Sequence, residues 1–266
     1  MQLQICGWEK DKVASIYRVT GKMEKMEKVS QGRCAAIVLA AGRGKRMKSA
    51  VQKQFMLLGD RPVLWYSLQA FEESGIDDII LVTAEADREY CIHEYVEKYG
   101  FSRIRAVVSG GKERYHSVYE GLCGLENLLG YGDNDAVLIH DGARPFVDQE
   151  IILRIRRDIL RYGACVAGMP SKDTVKLADR EGFSHITPDR DSVWMIQTPQ
   201  GFSYPLIKAA YDKMMSCDEY QRGVTDDAMV VESMTNHRVR LTEGSYKNIK
   251  VTTPEDMYIA EAFLRG

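Results

Sequence analysis

Residues 40–47 of the chain read AAGRGKRM and follow an apolar run, residues 35–39 (AAIVL), without a break. Gly42 and Gly44 let backbone N–H groups come close to a polyphosphate, and Arg43, Lys45 and Arg46 supply positive charge. The segment is not a P-loop, because no Gly-Lys-Ser/Thr ends it. It is not a dinucleotide fingerprint either, because Met47 stands where the third glycine belongs. A phosphate cradle and a solvated basic turn are the two readings it allows. Lys53, shortly after it, is either a second phosphate clamp or an ordinary surface charge. Residues 140–145 (HDGARP) end another apolar run, so Asp141 either holds Mg²⁺ jointly with phosphate oxygens or caps a turn, while His140 packs. Residues 110–117 (GGKERYHS) place paired glycines ahead of a helical stretch, suited to a base or phosphate at the backbone or to a plain turn. Singly, residues 198–201 (TPQG) read as a proline turn, 224–227 (VTDD) as a helix cap and 248–252 (NIKVT) as an edge strand with a lysine.

The pattern along the chain says what must position these residues. Short continuous apolar runs at 35–39, 79–82, 104–108 and 136–139 read as strands buried on both faces. Between them lie helical stretches: one opened by Pro62, with Leu64, Leu68 and Phe71 at helical spacing and Gly75 closing it; one over about 87–99; and one marked by Val118, Leu122, Leu125 and Leu129. Strands joined through single helices require crossovers, so the expected fold is α/β, a mostly parallel, doubly wound, Rossmann-like sheet. Ligands in such sheets bind beyond the carboxyl ends of the strands, so the loops after Leu39, Val108 and Ile139 should share one crevice. A helix near 151–162 and an apolar run at 164–169 follow. Residues 171–194 then hold two β-like pieces, 174–177 and 183–187, joined by the turn-prone 179–182, which reads as a projecting β-arm suited to dimer contacts. The chain returns through helices at 205–215 and 225–234, strands at 239–242 and 249–252, and a last helix opened by Pro254.

The 266 residues, 45% hydrophobic and 28% charged, suit a globular enzyme with a sizeable core, expected over 32–266 behind an N-terminal extension, 1–31, rich in mixed charge. The formal charge of −2 argues against a dedicated nucleic-acid binder. No stretch approaches the roughly 20 apolar residues of a membrane span. Cys6, Cys34, Cys91, Cys123, Cys165 and Cys217 show no metal or redox spacing and read as reduced thiols of a cytoplasmic protein.

Taken in order, residues 39–47, Lys53 with Gln54 and Phe55, residues 110–114, 140–145, 172–176 (KDTVK), 197–200 (QTPQ), 225–227 and 248–252 closely resemble the 2-C-methyl-D-erythritol 4-phosphate cytidylyltransferases of the non-mevalonate isoprenoid pathway. The resemblance runs from about Gly32 to the C-terminus. It implies a nucleotidyltransferase fold and a reaction joining CTP to a sugar-alcohol phosphate with release of pyrophosphate, supported by Mg²⁺ or another divalent cation. It places Arg46, Lys53 and Lys250 as the catalytic cations, and Ala40, Ala41, Gly42, Gly44, Gly111 and Ser117 around the nucleotide. Asp141, Arg144, Thr174, Arg190, Thr198 and Thr225 fall on the acceptor side, with Asp141 also facing the metal. It further implies a homodimer in which Thr174 and Arg190 of the β-arm enter the partner's site, and no nucleic-acid or membrane partner. Lys112, where some members carry an acidic residue, and Gly142, often alanine, depart from the pattern. Ribitol-5-phosphate cytidylyltransferases resemble the same loops and are the nearest rival. A non-catalytic nucleotide-binding protein with a decayed site is the rival of another class, but Arg46, Lys53 and Lys250 are all retained.

Overall fold

The computed structural model of the chain describes residues 32–42, 47 and 51–265. The extension 1–31 and the loop residues Gly44 and Arg46 lie outside that set. The first strand, β1 (Cys34–Ala40), shows why its sequence is apolar throughout. Ala36, Val38 and Ala40 enter the core on one face of the sheet, and Ala35 and Ile37 enter a second core on the other. Such alternation between two buried faces leaves no position for a polar residue.

A two-stranded hairpin, β2 (Leu57–Leu58) and β3 (Arg61–Pro62), leads into α1 (Val63–Glu73). Then come β4 (Asp78–Thr83), α2 (Arg88–Cys91) continuing as a π-helical stretch (Ile92–Lys98), β5 (Ile104–Ser109), α3 (Arg114–Leu129) and β6 (Ala136–Asp141). The helix expected as one element over 87–99 is thus in two windings. Helix α4 (Gln149–Tyr162) is capped by Asp148, whose side chain accepts from the Ile151 N–H, and gives way to β7 (Ala164–Pro170). The arm follows as β8 (Leu177–Ala178) and β9 (Ser184–Ile186), shorter than the strands expected at 174–177 and 183–187. The chain closes with β10 (Trp194–Ser203), α5 (Tyr204–Met215), α6 (Asp227–Met234), β11 (Arg240–Glu243) and α7 (Pro254–Arg265).

The seven-stranded sheet has the order β11-β7-β10-β6-β1-β4-β5. Every pairing is parallel except the two made by β10, which runs antiparallel to both β6 and β7. Helices α1, α2 and α4 cover one face, and α3, α5 and α6 the other. A smaller cluster of Met47, Leu58, Val63, Val251, Met257 and Ala260 joins the β2–β3 hairpin to α7.

Two expectations are corrected. Residues 198–201 form no turn: they lie inside β10, where the register shifts between Ile196 and Gln200 and the Thr198–Pro199 peptide is cis. Gly201 is needed there because a Cβ would stand 2.5 Å from Ile155 Cγ2, so α4 lies directly on the strand. Residues 249–252 form no strand. The Val251 N–H donates instead to Ala143 O at 2.8 Å, which hangs this segment on the loop after β6.

Cys34, Cys91, Cys123 and Cys165 are buried and Cys217 is partly exposed, and none of the five forms a disulfide among the described residues. Burial pushes the thiols of Cys34, Cys91 and Cys165 up to about 12, and only the thiolate is nucleophilic. Treated with a thiol reagent at pH 8 in the folded state, these three are expected to stay unmodified and to react only after denaturation. Peptide mapping checks this, and rapid labelling of any of the three would contradict the packing described.

Candidate active site

The ends of β1, β5 and β6 open on one cavity of about 860 Å³, a volume typical of small-molecule sites. Leu39, Ala40, Ala41 and Gly42 form one wall, Gly110, Gly111, Lys112, Glu113, Arg114 and Ser117 the opposite one, and Asp141 and Ala143 the floor. Lys53 and Lys250 line it as well. The crevice expected from strand order is therefore present, and the motifs at 40–42, 53, 110–117, 141 and 250 converge on it.

Each wall is held by specific bonds. Gln54, almost wholly buried, donates through Nε2 to Ala40 O at 2.7 Å and Gly42 O at 3.2 Å, and so fixes the strand exit against the turn that carries Lys53. The Gly111 N–H donates to Ser117 Oγ at 3.2 Å, folding the glycine pair onto the first turn of α3. Glu113 and His116 form a capping box at that helix start. The turn thus stands at the positive, N-terminal end of a 16-residue helix, which favours negative charge beside it.

Asp141 is the electrostatic centre. Its Oδ2 accepts from Lys250 Nζ at 2.7 Å and lies 3.9 Å from Arg144 Nε, while Oδ1 meets Arg114 Nε at 3.5 Å. Burial pushes the carboxyl up, but Arg114, Lys250 and Arg144 together outweigh burial and hold it well below the usual carboxylate range. Behind it, Thr198 Oγ1 accepts from the Asp141 N–H at 3.1 Å and pairs with His140 Nδ1 at 3.0 Å. His140 packs, as expected, edge-on to Phe71, and burial lowers it to about 3, so it is neutral.

The motifs at 110–114, 197–200 and 225–227 are bonded to one another, a link that their order in the sequence does not reveal. Arg114 forms a bidentate pair with the fully buried Asp227, NH1 to Oδ1 at 2.8 Å and NH2 to Oδ2 at 2.7 Å. Tyr211 donates its hydroxyl to the same Oδ1 at 2.6 Å. Gln200 Oε1 accepts from the N–H groups of Asp227 and Ala228, both at 3.0 Å, and its Nε2 donates to Asp226 Oδ2 at 2.9 Å. Asp226 itself caps α6 through the Met229 N–H. The fork of Arg114 is thereby spent on Asp227, so this arginine braces the site instead of offering a clamp to phosphate.

The other expected residues stand further off. Arg144 and Thr198 lie behind Asp141 and do not line the cavity. Thr225 is exposed, with Oγ1 3.7 Å from Met229 Sδ. Thr174 and Arg190 are exposed on the arm and do not line this chain's own cavity. Among the described residues, no group of three or more His, Cys, Asp or Glu side chains could hold a metal ion. Asp141, the residue expected to face the metal, already meets Lys250, Arg114 and Arg144 and as it stands does not fit a divalent cation. No helix among the described residues is long and apolar enough to cross a membrane.

A mostly parallel α/β sheet whose strand ends open on a glycine-lined cavity with Lys53 and Lys250 suits a nucleotidyltransferase. The family model for 2-C-methyl-D-erythritol 4-phosphate cytidylyltransferase (IspD) matches residues 34–266, and the chain belongs to that family. The enzyme of that name from Lachnoclostridium phytofermentans is 48% identical over 241 residues, covering 90% of this chain and 97% of the relative. The one from Lachnospira eligens is 48% identical over 232 residues, covering 87% and 99%. Among solved structures, the 4-diphosphocytidyl-2C-methyl-D-erythritol synthase of Anaerococcus prevotii superposes with a TM-score of 0.76 at 37% identity, covering 88% of this chain and 97% of that one.

Proposed function

We propose that the chain transfers the cytidylyl group of CTP to 2-C-methyl-D-erythritol 4-phosphate, giving 4-diphosphocytidyl-2-C-methyl-D-erythritol and pyrophosphate. The observation that carries this reading is the convergence of Lys53, Lys250, Asp141 and the Gly110–Gly111 turn on one cavity, in a chain of this family. In the reaction, an oxygen of the acceptor's phosphate attacks the α-phosphorus of CTP, and the bond to the bridging oxygen of the β-phosphate breaks to release pyrophosphate. The work of the protein is positioning and charge neutralisation. Lys53, with Arg46, faces the triphosphate, and the wall of Ala40, Ala41, Gly42, Gly111 and Ser117 encloses the nucleotide. Lys250 takes the acceptor's phosphate.

The β-arm completes the site of a second copy in this reading, so the working form is a homodimer. Thr174 and Arg190 lie on the arm, clear of this chain's own cavity. The arm and its root also expose Leu177 (50%), Phe183 (68%), Ile186 (47%) and Met195 (58%), an apolar surface suited to a partner.

Pyrophosphate release from CTP with Mg²⁺ is expected with 2-C-methyl-D-erythritol 4-phosphate and to be far slower with ribitol 5-phosphate. Turnover with ribitol 5-phosphate alone would overturn the assignment of acceptor while leaving the nucleotidyltransferase class intact.

A further inference from the structure

Arg144 carries a donor with nothing to do. Its Nε is shut off from solvent and has no hydrogen-bond partner among the described residues. The rest of the side chain is well placed: NH1 donates to Asn248 O at 2.8 Å, two residues before Lys250. The orphaned Nε lies 3.9 Å from Asp141 Oδ2, and that same oxygen is taken by Lys250 Nζ at 2.7 Å. An unmade bond at a buried charged group is costly, so its persistence calls for a reason.

Lys250 cannot serve the acceptor's phosphate and Asp141 with its full charge at once. A phosphate dianion entering the cavity competes with the carboxylate for the ammonium. If Lys250 simply left, Asp141, only 8% exposed, would keep an oxygen stripped of its closest cation. Arg144 Nε stands ready for that oxygen. Reaching the roughly 2.8 Å of a charge-assisted bond takes a shift of about an ångström.

We propose that Lys250 and Arg144 exchange places on Asp141: Lys250 is parked on Oδ2 before the acceptor binds and passes to its phosphate, while Arg144 Nε closes on the vacated oxygen. Arg144 is then a positioning residue for the acceptor lysine and not a ligand of the acceptor. The exchange rests on the reading that Lys250 takes the acceptor's phosphate. It also suits the residue type, since an arginine's planar fork can hold Asn248 O through NH1 and Asp141 through Nε in one fixed geometry, which a flexible ammonium does not impose.

The test is a double-mutant cycle on the full-length enzyme, with the KM for each substrate and kcat measured separately. Arg144→Lys is expected to raise the acceptor KM about tenfold, the scale of one lost charge-assisted bond, while moving kcat and the CTP KM far less. Lys250→Ala is expected to raise the acceptor KM on the order of a hundredfold. In the Lys250→Ala background, Arg144→Lys is expected to change the acceptor KM less than about twofold, because the lysine it serves is gone. Equal effects of Arg144→Lys in both backgrounds would overturn the exchange and leave Lys250's role standing. An unchanged acceptor KM in Lys250→Ala would overturn that role itself, and the exchange with it. Should Arg144→Lys fail to fold, a crystal structure of the wild-type enzyme with 2-C-methyl-D-erythritol 4-phosphate decides. The exchange requires Arg144 Nε within hydrogen-bond distance of Asp141 Oδ2 and Lys250 on the phosphate. Lys250 still seated on Asp141 would refute it.

Discussion

Asp227→Ala is expected to destabilise the protein by about 3 kcal/mol, the lower end of the range for breaking a buried ion pair. The loss arises less from the attraction removed than from what is left behind. The Arg114 fork, paired at 2.8 and 2.7 Å, would face a hole, and the Tyr211 hydroxyl would lose its acceptor. Burial raises Tyr211 well above its ordinary range, with the Asp227 carboxylate adding to the effect, so this hydroxyl stays a donor with nowhere to turn. Two features keep the effect from the top of the range. The Arg114 side chain retains 28% exposure, and its Nε already lies 3.5 Å from Asp141, a partial alternative partner. Thermal unfolding should show a Tm lower by on the order of 10 °C for a domain of this size. Tyr211→Phe, which removes one hydrogen bond and keeps the ring, should cost about 1–2 kcal/mol. A reversed order of the two variants, or a Tm for Asp227→Ala within a degree of wild type, would show that the pair does not brace the fold.

Lys53→Ala is expected to lower kcat by about a hundredfold to a thousandfold, the usual cost of losing one group that stabilises charge in the transition state. Lys53 sits on a short turn whose neighbour, Gln54, is bonded to Ala40 O, so its ammonium enters the cavity from a fixed base beside the β1 exit. A cation held in place before reaction does not have to reorganise when negative charge builds on the leaving pyrophosphate. That is why the effect should appear in kcat more than in the KM for CTP. Lys53→Arg should recover part of the rate, since charge is kept and geometry is not. Arg46→Ala is expected to act in the same direction. Turnover of Lys53→Ala within about threefold of wild type would remove this lysine from the catalytic set.

Much of the scaffold was legible because its physics is local. A strand buried on both faces must be apolar throughout, so β1, β4, β5 and β6 announced themselves, and their glycine-rich exits pointed to the crevice. Strand β10 escaped notice for the converse reason. It carries Gln197, Thr198, Pro199 and Gln200 in its buried stretch, a composition that reads as a loop. It is tolerated because Gln200 spends its amide on the start of α6, and Asn248 donates to Gln197 Oε1 and Thr198 O. The bracing of Arg114 was invisible on other grounds: its partner lies 113 residues away, and no periodicity encodes that distance. Residues 249–252 misled through their alternating apolar pattern, since Val251 is buried against α7 and not in a sheet. Lys53, Gly111, Ser117, Asp141 and Lys250 were recognisable because each follows a strand or sits in an ordered motif. That Arg144 and Thr198 stand behind Asp141 could not be read from order alone.

The small cluster that ties Met47 and the β2–β3 hairpin to Val251, Met257 and Ala260 has a bearing on how the enzyme is made. A chain emerging from the ribosome presents the glycine-rich loop well before Lys250 and the helix α7 that follows it. During that interval the nucleotide wall exists without its closing lysine and with Leu58 and Val63 uncovered. The cavity lining and the small core are therefore completed by the same late segment, which couples the arrival of Lys250 to the burial of Leu58 and Val63.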